Sequence, residues 1–114
     1  MTVPPSPQNA LDIFAGEWAS RMPSSAPVLR AGQAALFDDP RLAWPLERLG
    51  GVAGRRVLEL GPLEGGHTYM LDRAGAREIV AIEGNTRAYL KCLVAKEILG
   101  IPSGRFVCGD FAAY

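Results

Sequence analysis

From Gly54 onward, short β-type runs alternate with longer stretches of helical spacing. Arg56 to Leu60 reads as a strand, and a Gly-rich loop follows it. Gly66 to Ala74 has the spacing of a helix, with Tyr69, Met70 and Ala74 on one face and Gly75 as its stop. Glu78 to Glu83 brings Ile79, Val80 and Ile82 into a second strand. Asn85 caps a longer helix whose apolar stripe is Tyr89, Leu90, Leu93, Val94 and Ile98, and Gly100 and Pro102 end it. Arg105 to Cys108 is a third strand, with Gly109-Asp110-Phe111 at its carboxyl end. This β-α-β-α-β order, with connections long enough for right-handed parallel crossovers, predicts an α/β fold built on half of a doubly wound parallel sheet.

Upstream the pattern is less regular. Residues 1–8 are Pro-rich, with Pro4, Pro5 and Pro7, and read as disordered or extended. Leu11, Phe14 and Trp18 recur at helical spacing and predict a short amphipathic helix from Asn9 to Ser20, capped by Asn9. Met22 to Phe37, with Pro23, Pro27 and Gly32, reads as an irregular connection. Asp39-Pro40 is a helix start, with Asp38 and Asp39 read as capping carboxylates. That helix is expected to kink or restart at Pro45 and to end at Gly50-Gly51. The chain thus divides into a Pro-rich start (1–8), an N-terminal helical segment (9–51) and the first half of a parallel α/β domain (52–114).

The 114 residues allow one domain, and the 48% hydrophobic and 21% charged content is that of an ordinary globular chain. Twelve basic and twelve acidic residues give zero formal charge, without the basic excess of a nucleic-acid groove. The start resembles no signal peptide and no apolar run is long enough to span a membrane, so a cytoplasmic protein is expected. Cys92 and Cys108 show no metal-ligand spacing and read as reduced core thiols.

Ligands of open α/β sheets bind beyond the carboxyl ends of the strands. The three tips here read Glu59-Leu60-Gly61-Pro62-Leu63-Glu64-Gly65-Gly66, Glu83-Gly84-Asn85 and Gly109-Asp110-Phe111. Glycines at the first tip permit a tight turn and close approach of a ligand to the backbone. Glu83 lies 22 residues past Gly61, a spacing that suits an acid accepting both hydroxyls of a ribose. Asp110 is placed to accept from the exocyclic amine of a base. A nicotinamide dinucleotide would need glycine where Leu63 stands, and Glu64 would add negative charge beside its diphosphate. The alternative without any ligand makes the glycines turn residues and the acids solvated strand ends or caps. His67, the only histidine, is either a substrate contact or proton acceptor, or a partly exposed residue of the first helical turn. Trp18 and Trp44 either close over the cofactor or pack against the sheet edge and helices.

The run Val57-Leu58-Glu59-Leu60-Gly61-Pro62-Leu63-Glu64-Gly65 resembles the first motif of class I S-adenosylmethionine-dependent methyltransferases, an acid followed by GxxxG. Glu83 is similar to the acidic end of that family's second strand, and Gly109-Asp110-Phe111 to the residues after its third. The resemblance covers Val52 to Phe111 and implies a Rossmann-like fold with S-adenosyl-L-methionine as cofactor. It implies that the loop of Gly61, Pro62 and Gly65 wraps the methionine part, with Glu59 near its amino group. Glu83, with Asn85 beside it, would hold the ribose. Asp110 would meet the adenine amino group, and Phe111 would offer a backbone N–H to the ring. The sequence departs from the motif in having Leu63 at the common middle glycine and Pro62 after Gly61, a pairing that biases Gly61 towards extended geometry.

The family's sheet has more strands than the three offered here, so the chain is expected to be the cofactor-binding part of a longer enzyme, inactive alone. Neither a catalytic residue nor a methyl acceptor is assigned. The alternative is a truncated, non-catalytic module that binds a nucleoside cofactor or another chain. In either case the first strand would have a bare edge, and self-association through that edge is expected.

Overall fold

The computed structural model describes residues 2–114. Met1, part of the Pro-rich start, lies outside the described residues. Three strands, β1 (Arg56–Leu60), β2 (Glu78–Glu83) and β3 (Gly104–Cys108), form a parallel sheet in the order β1-β2-β3. Register runs from Arg56 opposite Glu78 on one side of β2 and from Ile79 opposite Gly104 on the other. The crossovers carry α3 (Gly66–Arg73) and α4 (Thr86–Leu99). Because strand order follows chain order and such crossovers are right-handed, both helices fall on one face of the sheet. This is the expected α/β, Rossmann-like arrangement with an open sheet.

The strand bounds match the sequence pattern, with β3 beginning one residue earlier at Gly104. The α4 stripe matches in part: Tyr89, Val94 and Ile98 are partly buried against the core, but Leu90 and Leu93 are not. The residues α4 buries are Ala88, Cys92 and Ala95, whereas Leu90 and Leu93 are exposed. Small side chains let the helix sit close to Ala81 and Phe106 of the sheet, and the bulkier leucines fall on its flanks. The cap is as expected: the Asn85 side chain accepts from the Ala88 N–H at 2.9 Å.

Upstream, α1 is shorter than its apolar spacing implies, running Pro7–Asp12 with Ser6 rather than Asn9 as N-cap. Pro7 and Gln8 therefore belong to a helix and not to an extended start. Tight turns follow (Phe14 N–H to Leu11 O, Glu17 N–H to Phe14 O), and Gly16 adopts φ +79°. The later helix starts at the Asp39 cap as a 3-10 turn (Pro40–Leu42) and restarts as α2 (Ala43–Arg48).

Residues 13–37, though irregular, are fixed in place. Leu11, Phe14, Trp18, Met22 and Phe37 are buried in one core with Tyr69, Cys92 and Phe106. Trp18 donates its indole N–H to the Leu11 carbonyl and meets Phe14 edge-on, so it is a core residue. Trp44 stays 65% exposed beneath the Arg48 guanidinium and packs on neither sheet nor core. Cys108 is likewise exposed and not a core thiol, while Cys92 is buried.

The other face of the sheet is uncovered over β1. Leu58 and Leu60, which alternate with Val57 and Glu59, are 58% and 50% exposed. A cleft of about 480 Å³ runs along this edge between Leu46, Leu49 and Leu58.

Candidate functional site

The first tip is a strained loop held by hydrogen bonds. Gly61 adopts φ +67° and not the extended geometry expected before a proline; glycine lacks the Cβ that enforces the restriction. Leu63, where the motif usually has glycine, also takes a left-handed φ of +60°, at a cost of about 1–2 kcal/mol. Its N–H donates to Glu83 Oε1 at 2.8 Å, and its carbonyl accepts from Cys92 Sγ. Burial, with the charges of Glu83, Glu59 and Glu64 around it, pushes the Cys92 thiol pKa well up, so it remains a neutral donor. Gly65 (φ +91°) then turns the chain into α3. Gly66 packs so closely on the N-terminal segment that a Cβ there would lie 2.2 Å from the Leu36 carbonyl oxygen.

Glu83 therefore joins two tips. It is nearly buried, and its second oxygen accepts from the Asn85 N–H at 3.0 Å. A carboxylate offers about four lone-pair sites, so two remain for hydroxyl donors. Asn85 spends its side chain on capping α4.

Glu59 is half-buried on β1, and its carboxylate accepts from the Thr68 hydroxyl. Burial raises its pKa, against the lowering effects of Thr68 and the nearby His67. Among the described residues Glu59 has no ion-pair partner. An ammonium group placed beside it would remove that imbalance.

Glu64 was not among the candidates in the sequence. It is 2% exposed and accepts from the backbone N–H groups of Ala19 (3.1 Å) and Ser20 (2.8 Å), with Lys91 Nζ at 3.2 Å. Its charge is thus spent on fastening the N-terminal segment to the loop. The objection to a dinucleotide loses Glu64 and rests on Leu63 alone.

The segment fastened in this way roofs the tip. A cavity of about 120 Å³ lies between Ser20, Leu36 and Arg41 above and Glu59, the Gly61–Gly66 loop and His67 below. Asp39, the cap of the 3-10 turn, is almost fully buried and accepts from Arg41 Nε and Nη2 and from His67 Nε2 at 2.9 Å. Arg41 and then His67 hold its carboxyl far below the usual carboxylate range, so the His67 nitrogen is the donor in that contact. His67 thus lies in the first turn of α3, partly exposed as one reading had it, but it also lines the cavity. Asp38 instead accepts from the Ser24 N–H.

At the third tip Asp110 is exposed and caps a 3-10 turn (Phe111–Ala113) by accepting from the Ala112 N–H at 2.9 Å. Phe111 is 52% exposed.

No protein-family model matches the chain, and no curated protein does. Solved structures do. The N-terminal domain of EvdMO1, crystallised in the presence of SAH and D-fucose, superimposes with TM-score 0.73 and 22% identity over 94% of this chain and 45% of that one. A structure of EvdMO1 gives TM-score 0.72 and 22% identity over 94% of this chain and 24% of that one. The protein PH1948 from Pyrococcus horikoshii gives TM-score 0.56 and 23% identity over 65% of this chain and 37% of that one. These likenesses are of fold, and the chain spans less than half the length of each of the three.

Proposed function

We propose that this chain is the S-adenosylmethionine-binding part of a methyltransferase. The observation that carries this reading is Glu83. It is a nearly buried carboxylate at the tip of β2, two of its acceptor sites are filled by the backbone of the first loop and of Asn85, and two are left for ribose hydroxyls. The loop of Gly61, Pro62 and Gly65 borders the methionine side, Glu59 supplies the anion for the ammonium, and the exposed Asp110 and Phe111 supply the adenine contacts. The fold is that of a domain crystallised with SAH, which supports this choice of ligand class. Glu59 and Glu83 at the first two strand tips suit a cationic sulfonium. The setting is cytoplasmic, in keeping with two free thiols. Differential scanning fluorimetry tests the reading. A ligand that binds only the native state raises its melting temperature, so S-adenosylhomocysteine should raise it and NAD should not. The reverse result would exclude this ligand assignment.

The uncovered edge supports a second proposal, that the chain self-associates through β1. The free edge of β1, which carries the exposed Leu58 and Leu60, offers both hydrogen-bonding groups and apolar surface. Multi-angle light scattering should find a dimer or larger species that Leu58→Lys disperses. A monomer at every concentration would remove this proposal and leave the first standing.

A further inference from the structure

The cavity under the N-terminal segment contains a side chain with nothing to bind. Ser20 is 1% exposed, lines the cavity, and its Oγ is a buried polar atom without a hydrogen-bond partner. Leaving such a group unsatisfied is costly, and an acceptor brought by a ligand would relieve that cost. The Ser20 backbone, by contrast, is fully paired: the N–H donates to Glu64 and the carbonyl accepts from the Gly32 N–H. Opposite it stands Glu59, a carboxylate without a cation. At the rim Arg41 is held in one orientation by Asp39 through Nε and Nη2, while Nη1 has no partner among the described residues. At about 120 Å³ the cavity is far below the roughly 300–1,000 Å³ that encloses a drug-sized molecule. It fits a small head group carrying both charges.

We infer that this cavity seats the zwitterionic amino-acid head of the ligand, with Ser20 and Arg41 of the N-terminal segment binding its carboxylate while Glu59 takes its ammonium. This rests on the S-adenosylmethionine reading and extends the site to two residues outside the stretch that resembles the methyltransferase motifs. The hydroxyl donates to one carboxylate oxygen and the guanidinium to the other, both charge-assisted bonds. Asp39 and His67 touch no ligand in this arrangement. They position Arg41, whose exposed side chain would otherwise swing freely.

Calorimetry with two ligands tests the inference. S-Adenosylhomocysteine carries the amino-acid head, and 5′-methylthioadenosine has the same nucleoside and thioether without it. Arg41→Ala should weaken S-adenosylhomocysteine about tenfold or more and leave 5′-methylthioadenosine unchanged, with Arg41→Lys recovering part of the loss. Ser20→Ala, which removes one atom from a buried site, should produce the same selective loss, several-fold in size. Unchanged 5′-methylthioadenosine binding also shows that the variants are folded. An equal loss for both ligands, or no loss for S-adenosylhomocysteine, overturns the inference and leaves the proposed cofactor in place. If the unaltered protein binds neither ligand, both readings fall.

Discussion

At the tip of β1 the two acids lie beneath the N-terminal segment. Glu59 is held by Thr68, and Glu64 is closed off by Ala19, Ser20 and Lys91. At the tip of β3 Asp110 stands in solvent and bonds only the turn that follows it. Both tips place carboxylates at or beyond a strand's end, yet one belongs to a built enclosure and the other to an open end. The difference lies in what covers them. Residues 17–41 pack over the first tip, and nothing described packs over the third. A carboxylate shielded from water interacts more strongly with its partners and costs more when one is lost, whereas an exposed one is exchanged for water at little cost. Standing near a strand end therefore does not set a carboxylate's environment; what packs over that end does.

The strongest way to break the comparison is to remove the fastening. Glu64→Ala leaves Lys91, which still donates to the Glu17 carbonyl, without its carboxylate and two backbone N–H groups without acceptors. It should cost about 3–5 kcal/mol in urea unfolding, as the loss of one member of a buried pair does. A loss under about 1 kcal/mol would mean that the N-terminal segment is held by its apolar residues alone. Next comes ligand affinity at the intermediate tip and the open one. Glu83→Ala should weaken S-adenosylhomocysteine at least about tenfold, or 1.4 kcal/mol. Asp110→Ala should weaken it only about threefold, within the range of a single exposed hydrogen bond. Calorimetry giving equal losses at the two tips would remove the distinction between enclosed and open carboxylates.

The strands were legible because β-branched and apolar residues fall in short runs between turn signals, and Glu59, Glu83 and Asp110 were legible because they stand at or near the ends of those runs. The packing of α4 was legible only in part, through Tyr89, Val94 and Ile98. Counting large apolar side chains selects Leu90 and Leu93, but a helix lying close to a sheet buries its small residues, here Ala88, Cys92 and Ala95. The extent of α1 misled in another way, since Leu11, Phe14 and Trp18 share a core through consecutive turns that keep helical spacing after the helix has ended. Glu64 and Ser20 were hidden for a different reason. Their roles depend on a contact between residues 44 positions apart, and no local pattern records it. Likewise Asp39 reads as a cap and is one, but its pairing with His67 spans 28 positions.

The same separations bear on the order in which the molecule assembles. Neighbouring strands pair across 22 residues (Arg56 with Glu78) and 25 residues (Ile79 with Gly104). The bonds that dock the N-terminal segment span 44 and 45 residues at Glu64 and 70 at the Arg87–Glu17 pair. Closing a loop of 70 residues costs about 1 kcal/mol more chain entropy than closing one of 22. Local contacts form faster than distant ones, and the strand pairings are the shorter-range of these two sets. In the native state the N-terminal segment is anchored by Trp18, Met22 and Phe37 in the core it shares with Tyr69, Cys92 and Phe106, as well as by its bonds to Glu64, so its docking is tied to that core. The enclosure over Glu59 is thus closed by the contacts most distant in sequence, and it stands or falls with the core beneath it.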